Sequence, residues 1–150
     1  MQLAQLNIAT AKDDLDSPLL KDFVDNLDPI NAIADASEGF IWRLKDDTGN
    51  ATDVQAFDNP RMIVNLSVWE SLASLQHFMF KTHHIDIMKR RAEWFDKSPL
   101  ATYVLWWVED GHVPSTAEAL ERLELLRKHG DTAQAFSFKK TFSAEDALQR

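Results

Sequence analysis

Residues 103–108 read YVLWWV, and this stretch decides which fold the rest of the chain must build. Successive side chains of a β-strand point to opposite faces. One face would therefore hold Val104, Trp106 and Val108, and the other Tyr103, Leu105 and Trp107. Since both faces are apolar, we expect this strand inside a sheet that is covered on both sides. The chain must supply neighbouring strands, a layer of helices and a cover for the second face.

Three other segments have the pattern of strands: residues 2–9, 40–45 and 63–69. In the first of them, Gln5 and Asn7 place two amides on one face. The polar stretch 46–61 carries the turn signals Gly49-Asn50 and Asn59-Pro60, which predicts a long connection between the second and third strands. A short strand can follow near Phe136–Phe138.

Helical patterns lie between and after these strands. Helices are predicted at about residues 17–39, 71–81, 83–95 and 115–129. Ser17 and Pro18 have the types expected at a helix start, and Pro29 can kink or divide the first helix. Ser115 and Glu118 have the spacing of a capping box, which opens the last helix.

The order β-α-β-β-α-β plus one helix predicts an α+β fold. We expect a ferredoxin-like antiparallel sheet with helices on one face and an extra C-terminal helix. Residues 1–142 are expected to form a single domain and residues 143–150 a frayed tail. A second subunit's sheet is the simplest cover for the other face, so a homodimer through the sheet is predicted.

Composition excludes several classes of function. The net charge of −8 disfavours a nucleic-acid partner, because phosphate backbones are repelled. The chain has no cysteine, which excludes disulfides, thiolate zinc sites and cysteine nucleophiles. No signal peptide is visible, and no apolar run reaches the roughly 18–20 residues that span a bilayer. We therefore expect a cytoplasmic protein without a membrane partner.

The stretch FMFKTHHIDIMKRR, residues 78–91, holds the main candidates for chemistry. On a helical wheel, His84 and Arg91 fall within the apolar arc, whereas His83 falls at its margin. A buried Arg91 requires either a carboxylate of the protein or an anionic ligand. Two interpretations stay open. Arg91 pairs with a carboxylate beside a hydrogen-bonded His84, or both line an internal pocket, with His84 as base or metal or haem ligand.

Other side chains are candidates for the same pocket. Asn7 joins His84 and Arg91 as a catalytic candidate if its face of the sheet looks towards the helices. The spacing of the histidines specifies no metal motif, so no structural metal site is expected. Candidates for substrate binding are the aromatic, thioether and loop histidine side chains Trp69, Phe78, Met88, Trp94, Trp106 and His112.

The stretches VNLSVWESLASLQHFMFKTHHIDIMKRRAEWF, YVLWWVEDGHVPSTAEALERLELLRKHG and AFSF resemble an uncharacterised family of the dimeric α+β barrel superfamily. The resemblance extends from QLNIA to about Lys140. It implies ferredoxin-like protomers that pair through their sheets, with a pocket between sheet and helices. The superfamily includes antibiotic-biosynthesis-type monooxygenases, which oxidise polycyclic phenols without metal or flavin, and haem-degrading monooxygenases. Asn7 and His84 correspond to the Asn and the iron-ligating His of the haem-degrading branch, whose helical Trp has no match here.

Three functional interpretations follow. The first is a cofactor-independent, monooxygenase-like enzyme that acts on a small aromatic or polycyclic molecule, which can be anionic. Asn7 and His84 would orient and deprotonate this substrate, and Arg91 would stabilise the anion. The second is a haem-binding or haem-degrading protein, with His84 as iron ligand. The third is a non-catalytic dimeric protein that binds a small molecule.

Overall fold

The computed structural model describes residues 1–45 and 61–148. Its sheet consists of four antiparallel strands in the order β2-β3-β1-β4. The strands are β1 (Gln2–Thr10), β2 (Phe40–Arg43), β3 (Met62–Trp69) and β4 (Tyr103–Val108). The predicted ferredoxin-like α+β fold is confirmed, and residues 103–108 form a strand as predicted. The turn signals Gly49-Asn50 and Asn59-Pro60 lie outside the described residues.

The helices of the described chain are mostly short. They are α1 (Lys21–Asp25), α2 (Leu27–Ala36), α3 (Leu72–Lys81), α4 (His84–Lys89), α5 (Arg91–Trp94), α6 (Thr116–His129) and α7 (Ala144–Leu148), with a 3₁₀ turn at Pro18–Leu20 before α1. Within residues 1–45 and 61–148, no helix has the length and apolar character needed to cross a membrane.

The first predicted helix is divided at Asn26. Pro29 is the third residue of α2 and has no N–H with which to continue a helix from α1. The side chain of Asn26 instead donates to the Asp22 carbonyl at 2.7 Å. Pro18 lies in the first turn as predicted. Ser17 occupies the N-cap position, but within the described residues its hydroxyl makes no capping hydrogen bond.

The predicted helix over residues 83–95 is also divided. Arg90, with φ −94° and ψ 3°, separates α4 from α5. A helical wheel assumes one continuous axis, so its phase holds only up to this residue. The orientation of Arg91, the first residue after this break, therefore does not follow the wheel.

One face of the sheet, called here the α6 face, is apolar throughout and packs against α6. Its buried members are Ala4, Leu6, Ile8, Val64, Leu66, Val68, Val104, Trp106 and Val108. Ala119, Leu123 and Leu126 of α6 belong to the same cluster, and Trp42, Leu44 and Met62 pack against it. This face is thus covered within a single chain.

This cover corrects the reasoning behind the predicted homodimer. A partner sheet was expected because helices were assigned to one face only, whereas α6 folds back onto the second face. Ser115 caps α6 by accepting a hydrogen bond from the Glu118 N–H at 3.0 Å, and Gly130 ends it with φ +73°. A homodimer through the sheet remains a prediction, which light scattering at micromolar concentration can test.

The segment after α6 runs along the free edge of β4. Leu105 and Phe136 exchange backbone hydrogen bonds of 2.7 and 2.9 Å, near the predicted short strand. Residues 144–148, which fall within the predicted tail, form the short helix α7. Ser143 and Asp146 cap this helix reciprocally, at 3.0 and 3.2 Å.

Candidate functional site

A cavity of about 140 Å³ lies between the opposite face of the sheet and helices α2, α3 and α4. We call this side of the sheet the cavity face. Polar side chains of β1 and β3 form the floor of the cavity: Gln5, Asn7, Asn65 and Ser67. Helices and aromatic side chains form its walls. Asn7 and Asn65 are exposed, so the cavity opens to solvent at this end of the floor.

Aromatic rings line one wall in continuous contact. Trp69 and Phe78 are stacked at 5.1 Å with an interplanar angle of 23°, and Phe40 meets Trp69 edge-on at 5.4 Å. The ring of His84 lies 4.8 Å from Phe78. Trp69 is 1% exposed and Phe78 is 8% exposed. These contacts make this wall of the cavity aromatic and largely apolar.

His84 is placed at this wall by the turn between α3 and α4. Its Nδ1 lies 3.1 Å from the Met79 carbonyl oxygen, and its backbone N–H reaches Thr82 Oγ1 at 3.3 Å. A carbonyl can only accept, so Nδ1 carries the hydrogen and Nε2 holds a lone pair. Burial lowers the pKa of His84, although the bond to Met79 acts in the opposite direction. His84 is therefore neutral at neutral pH.

The side chain of His83, unlike that of His84, lies on the surface. It is 48% exposed and pairs with Asp86 at 3.0 Å. The sequence predicted His83 at the margin of the apolar arc and His84 within it. In the structure His83 is exposed and His84 is half-buried. Asn7 and His84, which the sequence singled out together, line the same cavity, as do Trp69 and Phe78.

Three floor residues were not singled out as site residues from the sequence. Gln5 Nε2 donates to Asn65 Oδ1 at 2.8 Å and to Ser67 Oγ at 2.7 Å. Trp69 Nε1 also donates to Ser67 Oγ, at 2.9 Å. The register pairs Asn7 with Asn65 and Gln5 with Ser67 across β1 and β3. The signal was the polar alternation within IVNLSVW, but only the register shows that these side chains meet.

The predicted inward orientation of Arg91 is wrong. Arg91 is exposed, and its Nη1 donates to the Met88 carbonyl at 3.3 Å. The break at Arg90 is the cause, because it changes the phase of α5. Arg90 bridges Asp22 and Glu93 at 2.9 Å and lies 4.7 Å above the Trp94 ring. The hydrogen bond from Arg90 lowers the pKa of Glu93.

Four other side chains that we expected to bind substrate lie elsewhere in the described structure. Met88 is partly exposed on α4. Trp94 is buried in a separate cluster and contacts Phe23 at 5.6 Å. Trp106 belongs to the α6 face, where it is fully buried. His112 is 46% exposed and lies 2.6 Å from Glu118.

Glu118 contacts both Trp106 and His112. One carboxylate oxygen accepts from Trp106 Nε1 at 2.9 Å and the other contacts His112 Nε2. The predicted capping box is thus only half formed. Ser115 caps the helix, while the Glu118 side chain satisfies a buried indole N–H instead of the Ser115 N–H.

The residues at this cavity do not fit haem. A cavity of about 150 Å³ holds one benzene ring, and the cavity here is about 140 Å³. A porphyrin has four pyrrole rings, so it exceeds this space several-fold. Arg91, the cation that could have faced an anionic group, is on the surface. In residues 1–45 and 61–148, no group of three or more His, Asp or Glu side chains could hold a metal ion.

Residues 2–150 match a family described as a domain of unknown function, DUF3291. The chain belongs to the DUF3291 family. No curated protein matches it. The family assignment agrees with the resemblance stated above, and no activity follows from the description.

Solved structures similar to this DUF3291 protein share its fold. NE2512, of unknown function, from Nitrosomonas europaea is 16% identical over 76% of this chain and 95% of its own, with a TM-score of 0.50. Rv0793 from Mycobacterium tuberculosis is 13% identical over 75% and 100%, with a TM-score of 0.51. SnoaB, a cofactor-independent oxygenase from Streptomyces nogalater, is 12% identical over 76% and 98%, with a TM-score of 0.49. At these identities the likeness shows the fold alone.

Proposed function

We propose that this protein is a cofactor-independent oxygenase that acts on a small, one-ring phenol, with His84 as the general base. The observation that carries this proposal is the state of His84. Its Nδ1 donates to the Met79 carbonyl at 3.1 Å, which leaves a lone pair on Nε2, and the His84 side chain lines a cavity with an aromatic wall. A neutral imidazole is suited to accept a phenolic proton near pH 7.

The size of the cavity restricts the substrate to one ring. Since about 150 Å³ accommodates benzene, the space of about 140 Å³ accommodates one ring, and any further group must project past Asn7 and Asn65. The polycyclic substrates considered from the sequence are therefore replaced by one-ring compounds. The substrate ring would pack against Trp69 and Phe78, and the half-buried His84 ring contacts Phe78 beside them.

The charge of the cavity also narrows the substrate. His84 is neutral, and Arg43, at the rim, already forms an ion pair with Asp35 through bonds of 2.8 and 3.3 Å. Arg91 cannot stabilise an anion there, because it is exposed. The Asn65 amide and the Ser67 hydroxyl take over this part of the chemistry, since neutral donors stabilise an oxyanion that forms beside them.

The reaction needs dioxygen as its only co-substrate. His84 Nε2 accepts a hydroxyl proton of a hydroquinone, and the resulting electron-rich anion reduces dioxygen. One oxygen atom enters the ring and the other leaves as water, so a hydroquinone and dioxygen give a hydroxyquinone and water. The carbon framework is oxidised by four electrons and dioxygen is reduced by the same four.

Oxygen uptake tests this function. Purified protein is mixed with a panel of one-ring hydroquinones and substituted phenols, and uptake above the uncatalysed rate is measured. We expect catalysed uptake with at least one compound and the incorporation of one atom of labelled dioxygen into the product. Silence across the panel would reject the oxygenase proposal. Binding of these compounds without uptake would instead identify a binding protein.

The adjacent histidine provides a matched control. His84→Ala is expected to lower turnover about 10²- to 10⁴-fold, the range of general-base contributions. His83→Ala changes the same residue type one position earlier, where the side chain is 48% exposed and lies outside the cavity. This control should keep full activity, and equal losses in both variants would contradict the assigned role of His84.

A further inference from the structure

The floor of the cavity has a defined hydrogen-bond polarity, and Gln5 is its centre. Gln5 is 7% exposed and lies in the middle of β1. A side-chain amide has two N–H donors. Both donors of Gln5 are in use, one to Asn65 Oδ1 at 2.8 Å and one to Ser67 Oγ at 2.7 Å. These two bonds fix the orientation of all three side chains.

The orientation leaves donors on the neighbours of Gln5. Asn65 uses its oxygen for Gln5, so its Nδ2 hydrogens are available. Ser67 Oγ accepts from Gln5 and also from Trp69 Nε1, so its own hydroxyl hydrogen is available. In the part of the chain that the structure describes, neither donor meets an acceptor. Both side chains line the cavity.

We propose that the cavity selects a neutral one-ring molecule that carries a hydrogen-bond acceptor, either a carbonyl or a phenolic oxygen. Gln5 is the positioning residue that directs the Ser67 and Asn65 donors towards this acceptor. This inference rests on the proposed function for the position of the ring on the aromatic wall. It goes further by stating which polar group the substrate must have and which residue outside the reaction itself selects it.

Electrostatics support a neutral ligand. The ionisable side chains that line the described part of the cavity are His84, which is neutral, and Arg43, which is paired with Asp35. A ligand carboxylate would lose its hydration without gaining an unengaged cation. The net charge of −8 also repels anions. A neutral acceptor avoids both costs and meets the two donors.

Three ligands of similar size separate these requirements. Acetophenone has a ring and a carbonyl acceptor, ethylbenzene has nearly the same shape without the acceptor, and benzoate carries a charge. Dissociation constants are measured by equilibrium dialysis with the full-length protein. We expect acetophenone to bind about tenfold more tightly than ethylbenzene, which corresponds to one or two net hydrogen bonds. Benzoate should bind more weakly than acetophenone by about tenfold or more.

Gln5→Met tests the positioning role. Methionine has a similar shape but no donors, so Asn65 and Ser67 lose their common partner. The ratio of the ethylbenzene to the acetophenone dissociation constant is expected to fall from about ten to about one. Gln76→Met makes the same chemical change on α3, outside the cavity lining, and should keep the ratio of the unaltered protein. A purely structural role of Gln5 would weaken both ligands without changing their ratio.

Each outcome has a distinct meaning. Equal affinity of the unaltered protein for acetophenone and ethylbenzene overturns the inference and leaves the proposed function in place. Failure to bind any of the three ligands also overturns the inference, whereas the proposed function is overturned only if the hydroquinone and phenol panel shows no oxygen uptake. A Gln5→Met protein that keeps the tenfold ratio overturns the role of Gln5. If Gln5→Met does not fold, Ser67→Ala replaces it: a lower ratio supports the inference, and an unchanged ratio overturns it.

Discussion

The two faces of the sheet are made from the same strands but differ in what covers them. The α6 face is apolar from β3 to β4, and one continuous helix of 14 residues packs on it. The cavity face carries Gln5, Asn7, Asn65 and Ser67 and is covered by short helices. Alternate residues of one strand therefore serve packing on one side and line the cavity on the other.

The difference arises from the continuity of the helices. Helix α6 has a side-chain cap at Ser115 and a glycine end at Gly130, and it has no internal break. On the cavity face, Asn26 divides α1 from α2, and Arg90 divides α4 from α5. The cavity lies beneath this interrupted cover. The completely covered face buries an apolar core, and the face with the interrupted cover holds the cavity.

The largest expected effect compares two adjacent residues of β1. Leu6 is fully buried on the α6 face, so Leu6→Ala should lower the free energy of unfolding by about 3 kcal/mol through lost burial and a new void. Asn7 is exposed on the cavity face, and Asn7→Ala should change stability by less than about 0.5 kcal/mol. Urea denaturation measures both. Similar losses in both variants would remove the distinction between the two faces.

A second variant tests how the wall of the cavity is held. Gly39 has φ +85°, and a Cβ atom there would lie 2.4 Å from Ser74 Cβ at the start of α3. Gly39→Ala must therefore separate β2 from α3 as well as adopt an unfavourable backbone conformation. We expect a loss of about 2 kcal/mol in thermal unfolding, together with weaker binding of one-ring ligands. An unaffected variant would mean that this close approach does not hold the wall.

A third comparison uses an indole from each face. Trp106→Phe removes the 2.9 Å bond to Glu118 and should cost about 1–2 kcal/mol of stability with little effect on ligand affinity. Trp69→Phe removes the 2.9 Å bond to Ser67 and alters the aromatic wall, so it should weaken ligand binding. Calorimetric unfolding and ligand titration are measured on both proteins. The comparison fails if Trp106→Phe is the variant that loses binding.

The smallest expected effect is a pH dependence that belongs to the cavity face. Burial lowers the pKa of His84 below its ordinary value of 6.5. The unfolded chain therefore binds a proton at this residue before the folded chain does, and the free energy of unfolding decreases as the pH falls through that window. Activity should stay constant at neutral pH and fall about tenfold per pH unit only below the lowered pKa.

His84→Gln separates this contribution from other titrating groups. The variant should lose the part of the acid destabilisation that begins as the pH falls below 6.5, which chemical denaturation at several pH values measures. His83→Gln is the matched control and should retain it. If His84→Gln keeps the full pH dependence of the unaltered protein, the acid destabilisation does not come from His84.

Local sequence patterns predicted some of these features. The strand at residues 103–108 and helix α6, with its cap at Ser115, depend on alternation, helical periodicity and capping chemistry, all of which act over a few residues. The opposite orientations of His83 and His84 also follow from helix geometry. The placement of Arg91 failed because the wheel assumed that one helix continues through Arg90.

The sequence by itself determined the antiparallel α+β fold, the capped C-terminal helix and the inward position of His84, because each depends on periodicity and caps within a few residues. Only the tertiary structure decided that α6 covers the second face and that Gln5 meets Asn65 and Ser67 across two strands. The Gln5 contacts join residues 60 and 62 positions apart, and the register that brings them together is set by packing of the whole sheet. The candidate site is made of such contacts, which is why its floor was not visible in the order of residues.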